Sequence, residues 1–71
     1  MESQITITER EKHFFDYLNS LLKDERMDWW NPFGAIVWLQ VVFDLSVVES
    51  VMIIKKWREN YNENGYEHLL A

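Results

Sequence analysis

The sequence predicts an all-α fold: a compact three-helix domain ending in a short C-terminal helical turn. Three observations carry that prediction. Thr8 with Glu11 and Ser46 with Glu49 have the spacing of capping boxes, in which each side chain satisfies a backbone amide near the other. Asn31-Pro32 reads as a further helix start, because Asn is a favoured cap and Pro is preorganised for the first turn. Behind each start, apolar residues recur at three- and four-residue steps, the spacing of one helical face.

Taken in order, residues Met1 to Ile7 are polar apart from Ile5 and Ile7 and are expected to form an extended arm or one short strand. The first helix starts at Thr8, with Thr6 and Glu9 offering a competing start two residues earlier. Glu9 and Glu11 suit the positive end of its dipole. Phe14, Phe15, Leu18, Leu21 and Leu22 make its apolar face, and Arg10, Lys12, His13, Asp16, Asn19 and Lys23 the other side. Asp24 to Trp30 is a polar-to-aromatic connection.

The second helix is expected from Pro32 to about Phe43 and is apolar nearly all round, through Phe33, Ala35, Ile36, Val37, Trp38, Leu39, Val41, Val42 and Phe43. Its β-branched residues also permit a strand, but the cap and the length favour a helix. Such a helix must be covered nearly all round. Packing against two neighbours leaves part of it bare, so a subunit interface or a partner is expected there.

Asp44-Leu45-Ser46 breaks the run, and Ser46 opens the third helix. Its expected buried stripe is Val47, Val51, Ile54, Trp57 (or Arg58) and Tyr61, widened by Val48, Met52 and Ile53. Asn64-Gly65 is the expected helix stop. The tail over residues 62–71 carries Tyr66, Leu69 and Leu70 at helical spacing and is expected to pack back as one turn. Residues 1–71 read as a single small helical domain.

A domain of this size is marginal without added support. The absence of cysteine excludes a disulfide or a thiolate metal site and fits a reducing, cytoplasmic location. The remaining means are a rich core and self-association. Both suit a chain that is 48% hydrophobic, with four Trp, four Phe and three Tyr. The net charge of −5, from 12 acidic and 7 basic residues, is opposite to that of a dedicated nucleic-acid binder. It fits a basic partner surface, or solubility alone. MESQITITEREK lacks the apolar core of a signal peptide. Phe33 to Ile54 is long enough to span a membrane, but Gln40, Asp44, Ser46, Glu49 and Ser50 interrupt it, so no membrane association is expected.

From Leu39 to Ile53 the order of helix, short turn, apolar residue, Ser cap and second helix resembles a helix-turn-helix motif. Leu39 and Ile53 stand as core positions and Phe43, Asp44, Leu45 and Ser46 fill the turn. Ile5-Thr6-Ile7 ahead of the first helix gives the order a winged-helix-like cast, although the tail after Tyr61 is short for a wing. Three positions depart from the motif. Gln40 stands where a small residue allows close helix contact, Asp44 replaces the turn Gly, and Ser50 occupies a usually apolar site. The resemblance implies a DNA-binding regulator, with the start of the third helix entering the major groove. That start offers Val47, Val48, Glu49, Ser50 and Met52, whereas base edges and phosphates call for Arg, Lys, Asn and Gln. Lys55, Lys56 and Arg58 follow a turn later and are the candidate nucleic-acid-binding residues. Their simpler reading is a solvated helix end favoured by the dipole.

No catalytic or metal constellation emerges. His13 and His68 have no ligand pair beside them, and Asp24, Glu25 and Asp28 lack the alternation of a calcium loop. Gly34 and Gly65 cannot make a phosphate loop, and no nucleophile has an evident base. No enzyme activity and no cofactor are expected. Trp38 and Trp57 lie on apolar faces and are expected in the core. The adjacent Trp29 and Trp30 diverge, so that one roofs the core and the other reaches an interface. The expected function is that of a small acidic regulator or adaptor, homodimeric and binding another protein. Its protein-interface residues are Trp29, Trp30, Val47, Val48 and Met52, on a face shared with the second helix. The alternative is a helix-turn-helix transcriptional regulator.

Overall fold

The computed structural model describes residues 5–70, which form three α-helices and two short 3-10 turns, the all-α three-helix fold that the sequence predicts. Helix α1 (Glu9–Lys23) starts at Thr8, which wins over Thr6 because its capping box closes. The Thr8 hydroxyl accepts from the Glu11 amide at 3.1 Å, and the Glu11 carboxylate accepts from the Thr8 amide at 3.0 Å. At its other end Glu25 takes a left-handed conformation, φ 59°. The Glu25 and Arg26 amides then donate to the Leu22 and Leu21 carbonyls at 3.2 and 2.8 Å, the paired closure usually built on Gly.

The Asp28 side chain accepts from the Trp30 amide at 2.9 Å, and the Asn31 amide donates back to the Asp28 carbonyl at 3.0 Å. This turn carries the chain into a 3-10 turn (Pro32–Ala35) and then helix α2 (Ile36–Phe43). The second helix is therefore shorter than Pro32 to Phe43. Asn31 makes no side-chain cap, since its backbone (φ −138°, ψ 67°) is set by the turn at Asp28, and the first turn winds tightly instead.

Asp44 ends α2 in the left-handed region (φ 56°, ψ 42°) and donates its amide to the Gln40 carbonyl at 3.0 Å. It fills the backbone role that Gly has in a helix-turn-helix. After Leu45, Ser46 caps helix α3 (Val47–Glu59) with both capping-box bonds at 3.1 Å. The axes of Pro32–Phe43 and Val47–Glu59 differ by 120°. No single helix among the described residues is long and apolar enough to cross a membrane; this bent pair passes only when its two halves are taken together.

Helix α3 is central, with α1 and α2 both packed on it. Phe14, Phe15, Leu18, Leu21, Leu39, Leu45, Ile54 and Trp57 form the core, with Ile7, Met27, Ala35, Tyr66 and Leu69 closing its edges. The buried stripe of α3 runs through Ser50, Ile54 and Trp57, not through Val47 and Tyr61, which are 53% and 37% exposed. Ser50 is tolerated inside because its hydroxyl donates to the Ser46 carbonyl at 2.9 Å. Trp57 is fully buried as expected; Trp38 is only half-buried, under the Arg26 guanidinium.

Helix α3 stops at Glu59, well before Gly65, because Asn60 closes it: its amide donates to the Trp57 carbonyl and its side chain to the Lys56 carbonyl. Gly65 (φ 109°) instead sits in the following turn, where only glycine is at ease. The tail returns as a 3-10 turn (Glu67–Leu69) and inserts Tyr66 and Leu69 into the core. Of the expected arm over residues 1–7, the first four lie outside the described residues. Ile7 is buried and makes one parallel bridge to Leu70, its amide donating to the Leu69 carbonyl at 2.8 Å.

Asn19 joins these parts. Its side-chain oxygen accepts from the Trp57 indole at 2.8 Å and the Tyr66 hydroxyl at 2.7 Å, and its amide nitrogen donates to the Asn62 carbonyl at 2.9 Å. The Asn62 amide in turn donates to the Tyr66 hydroxyl at 3.1 Å. Asn19, expected on the polar side of the first helix, bonds inward instead.

Candidate protein-interaction face

Two exposed apolar stripes stand on consecutive elements. The first begins at Trp30, 82% exposed, and continues through Phe33, Val37 and Val41 at three- and four-residue steps, with Val42 on its flank. Leu39 is the only fully buried residue of α2, so the rest of its apolar circumference is half-buried or faces water. The second stripe is Val48 and Met52, 68% and 65% exposed, with Val47 beside them. Along α3 the same outward face continues into exposed Lys55 and Glu59, so only its first half is apolar.

The expected interface residues divide accordingly. Trp30, Val47, Val48 and Met52 are exposed. Trp29 is not: its ring packs edge-on against Trp57 and Tyr61, with centroids 5.7 and 5.0 Å apart, under the Arg58 guanidinium at 5.1 Å. It roofs the core, and Trp30 is the outward member of the pair. Phe33, Val37 and Val41 had a signal in the sequence, the all-round apolarity of the second helix, but no polar residue there told the inner side from the outer.

The candidate nucleic-acid residues do not converge. Lys56 turns toward α1 and donates to Glu11 at 2.7 Å. Lys55 and Arg58 border an open groove of about 490 Å³ with Trp29, Pro32, Phe33, Ile54 and Glu59. Arg58 lies on Trp29 and Glu59 adds an opposing charge, which leaves Lys55 as the exposed cation of the three without an ion pair among the described residues.

Glu11 binds both Thr8 and Lys56. Burial pushes its carboxyl up, but the Lys56 hydrogen bond and the Thr8 amide outweigh that and hold it below the ordinary value. Glu49 is likewise held down by the Ser46 amide and hydroxyl. Burial pushes the Tyr66 hydroxyl up, against the pull of Asn62, Trp57 and Asn19. These groups are caps and core pins, and each has a structural partner.

His13 and His68 are both exposed, and among the described residues no three metal-ligating side chains converge. No buried side-chain nitrogen or oxygen among them lacks a hydrogen-bond partner, so no polar atom waits in the core for a ligand. A groove of about 410 Å³ between the start of α1 and α3 is lined by Phe14, Leu45, Met52 and Ile53, with Arg10, Glu11, Glu49 and Lys56 at its rim. It extends the second stripe inward. Compared with known proteins, the chain matches no family model, no curated sequence and no solved structure.

Proposed function

We propose that this is a small acidic, non-enzymatic interaction protein, a regulator or adaptor that works through its exposed apolar helical face. The observation that carries the reading is the exposure of Trp30, Phe33, Val37, Val41, Val42, Val47, Val48 and Met52 together. Those eight side chains offer roughly 900 Å² of apolar surface over the two stripes, and the first stripe alone, at roughly 600 Å², reaches the upper end of what one patch on a monomer commonly exposes. Leaving them in water gains the fold nothing, and covering them would stabilise a complex by the hydrophobic effect. Self-association and capture of another protein both use such a face.

A second reading, a helix-turn-helix DNA binder, draws on the 120° bend and the three-residue turn, within the range of that motif. Light scattering and hydrophobic-dye binding, alone and with a short DNA duplex at low salt, discriminate the two. The interaction reading expects self-associated particles or dye uptake, and a monodisperse monomer that takes up no dye refutes it. The DNA reading expects duplex binding that weakens steeply with salt and fails if none appears at low salt.

A further inference from the structure

We infer that the exposed apolar face running from Trp30 past Gly34 in the 3-10 turn to Val37 and Val41 on α2 is a two-fold contact with a second copy of this chain. The inference rests on the interaction reading above and names the occupant of one of its two stripes.

Charge is the first argument. A chain with net charge −5 repels its own copies, so a self-contact needs a face free of charge. From Trp29 to Phe43 there is no ionisable side chain, the longest such stretch in the sequence. Two copies meeting there leave their acidic groups at the margin, where salt screens them beyond roughly 10 Å. The α3 stripe differs, because exposed Asp44 and Glu49 flank Val47 and Val48, and Lys55 follows Met52. Meeting a copy of itself, that patch would have to pair or desolvate these charges, a cost the first face does not carry.

Area is the second. Trp30, Phe33, Val37, Val41 and Val42 are 82, 40, 63, 76 and 50% exposed. They present roughly 600 Å² of apolar surface. Homodimer interfaces are about 65% apolar, so this corresponds to a footprint of roughly 900 Å² per copy. Stable complexes need about 800 Å² per partner, and the face meets that requirement once its polar margin is counted.

Shape is the third. Val37 and Val41 stand four apart on one side of α2, and Gly34, exposed in the 3-10 turn that leads into the helix, lies between them and Trp30 in the chain. A Cβ built on Gly34 meets nothing within 4 Å, and its φ is not positive, so neither packing nor strain inside one chain calls for glycine. A missing side chain there lets a second backbone approach closely.

The test is sedimentation equilibrium over a wide concentration range for the parent protein and for Val41→Glu, Gly34→Glu and Val48→Glu, each checked for helicity by circular dichroism. The expected parent mass is twice the 8.7 kDa of one chain. Val41→Glu and Gly34→Glu each enter a two-fold contact twice, and weaken association by at least ~100-fold with helicity unchanged. Val48→Glu keeps the parent mass. Should Val41→Glu lose helicity, Gly34→Glu carries the test. A dimer that survives both Val41→Glu and Gly34→Glu overturns the inference, as does one lost equally with Val48→Glu. A monomeric parent that still binds hydrophobic dye also overturns it while leaving the interaction reading standing. A monomeric parent that binds no dye overturns both.

Discussion

Replacing Asn19 by Ala removes a side chain that bonds α1, α3 and the tail at one point. The substitution deletes three hydrogen bonds, to the Trp57 indole, the Tyr66 hydroxyl and the Asn62 carbonyl. Trp57 and Tyr66 are fully buried, so their freed donors carry a desolvation cost. At about 1 kcal/mol net per bond the loss is roughly 3 kcal/mol. Asn19 also lines an open groove with Ser20, Leu22, Lys23, Tyr61 and Glu63, and water entering from it recovers part of that loss. The expected destabilisation is therefore about 2–3 kcal/mol, a large share of the roughly 4–10 kcal/mol available to a domain of this size.

Unfolding entropy of about 2.1 cal/mol/K per residue converts that loss into a fall in Tm of roughly 15–20 °C. Thermal melting by circular dichroism reads it, and a double-mutant cycle with Tyr66→Phe isolates the bond between the two side chains. The cycle should give a coupling of about 1 kcal/mol. A fall in Tm below about 4 °C, or additive effects in the cycle, would show that water replaces the side chain at little cost and would refute the argument.

Four further outcomes follow from the same structure. Glu25→Gly and Asp44→Gly each relieve a side chain held at positive φ, and each should raise stability by about 0.5–1 kcal/mol in denaturant titrations, with Asp44 at the low end because Asp tolerates that region better. Trp29→Ala removes the roof over Trp57 and Tyr61 and should cost about 3 kcal/mol, whereas Trp30→Ala, measured at dilutions where the chain is monomeric, should stay within about 0.5 kcal/mol. Glu11 and Glu49 titrate below the ordinary 4.5 when folded, so their contribution is complete above that pH and is lost as pH falls through their folded values. Acid titrations of the double variant Glu11→Gln, Glu49→Gln should show a shallower loss below pH 4.5. Tyr66 titrates above the ordinary 10.0, so its contribution is complete below that pH and is lost as pH rises through the folded value; Tyr66→Phe should flatten the alkaline limb.

What could be read from the sequence was local. Thr8 with Glu11 and Ser46 with Glu49 mark two helix starts because a capping box is a bargain between neighbours three apart, needing nothing from the rest of the chain. The apolar face of α1 was legible for the same reason, since polar residues alternate with it at a fixed period. The second helix was not, because its one polar side chain, Gln40, is half-buried and marks neither the inner nor the outer side. Only packing decided that Leu39 points inward and Val37 and Val41 outward. Asn19 was misplaced by its polarity, although it stands four residues after Phe15 and three before Leu22, on the rim of the buried face. Gly65 drew the helix stop too far along, because Asn60 caps α3 through side-chain and backbone bonds that leave no pattern as plain as a glycine.

The fold leaves a residue of sequence that it does not use. Two capping boxes fix α1 and α3, Asn19 joins them to the tail, and Leu39 with Ala35 seats α2 against the core. None of these devices needs Val37, Val41, Val48 or Met52 to be apolar, and in a lone chain polar residues there would serve solubility better. An isolated helix of eight residues is unstable in water, so α2 depends on what packs against it. Its inner side gives it one fully buried residue. A second layer on its outer side would supply the cover that this circumference lacks, so the folding of α2 and its association draw on the same apolar surface. On that argument, charge placed at Val41 should weaken association and, with the average helicity kept, lower the protection of α2 amides from hydrogen exchange by more frequent local opening, while α1 amides stay protected. Loss of association without loss of α2 protection would show that the inner contacts suffice.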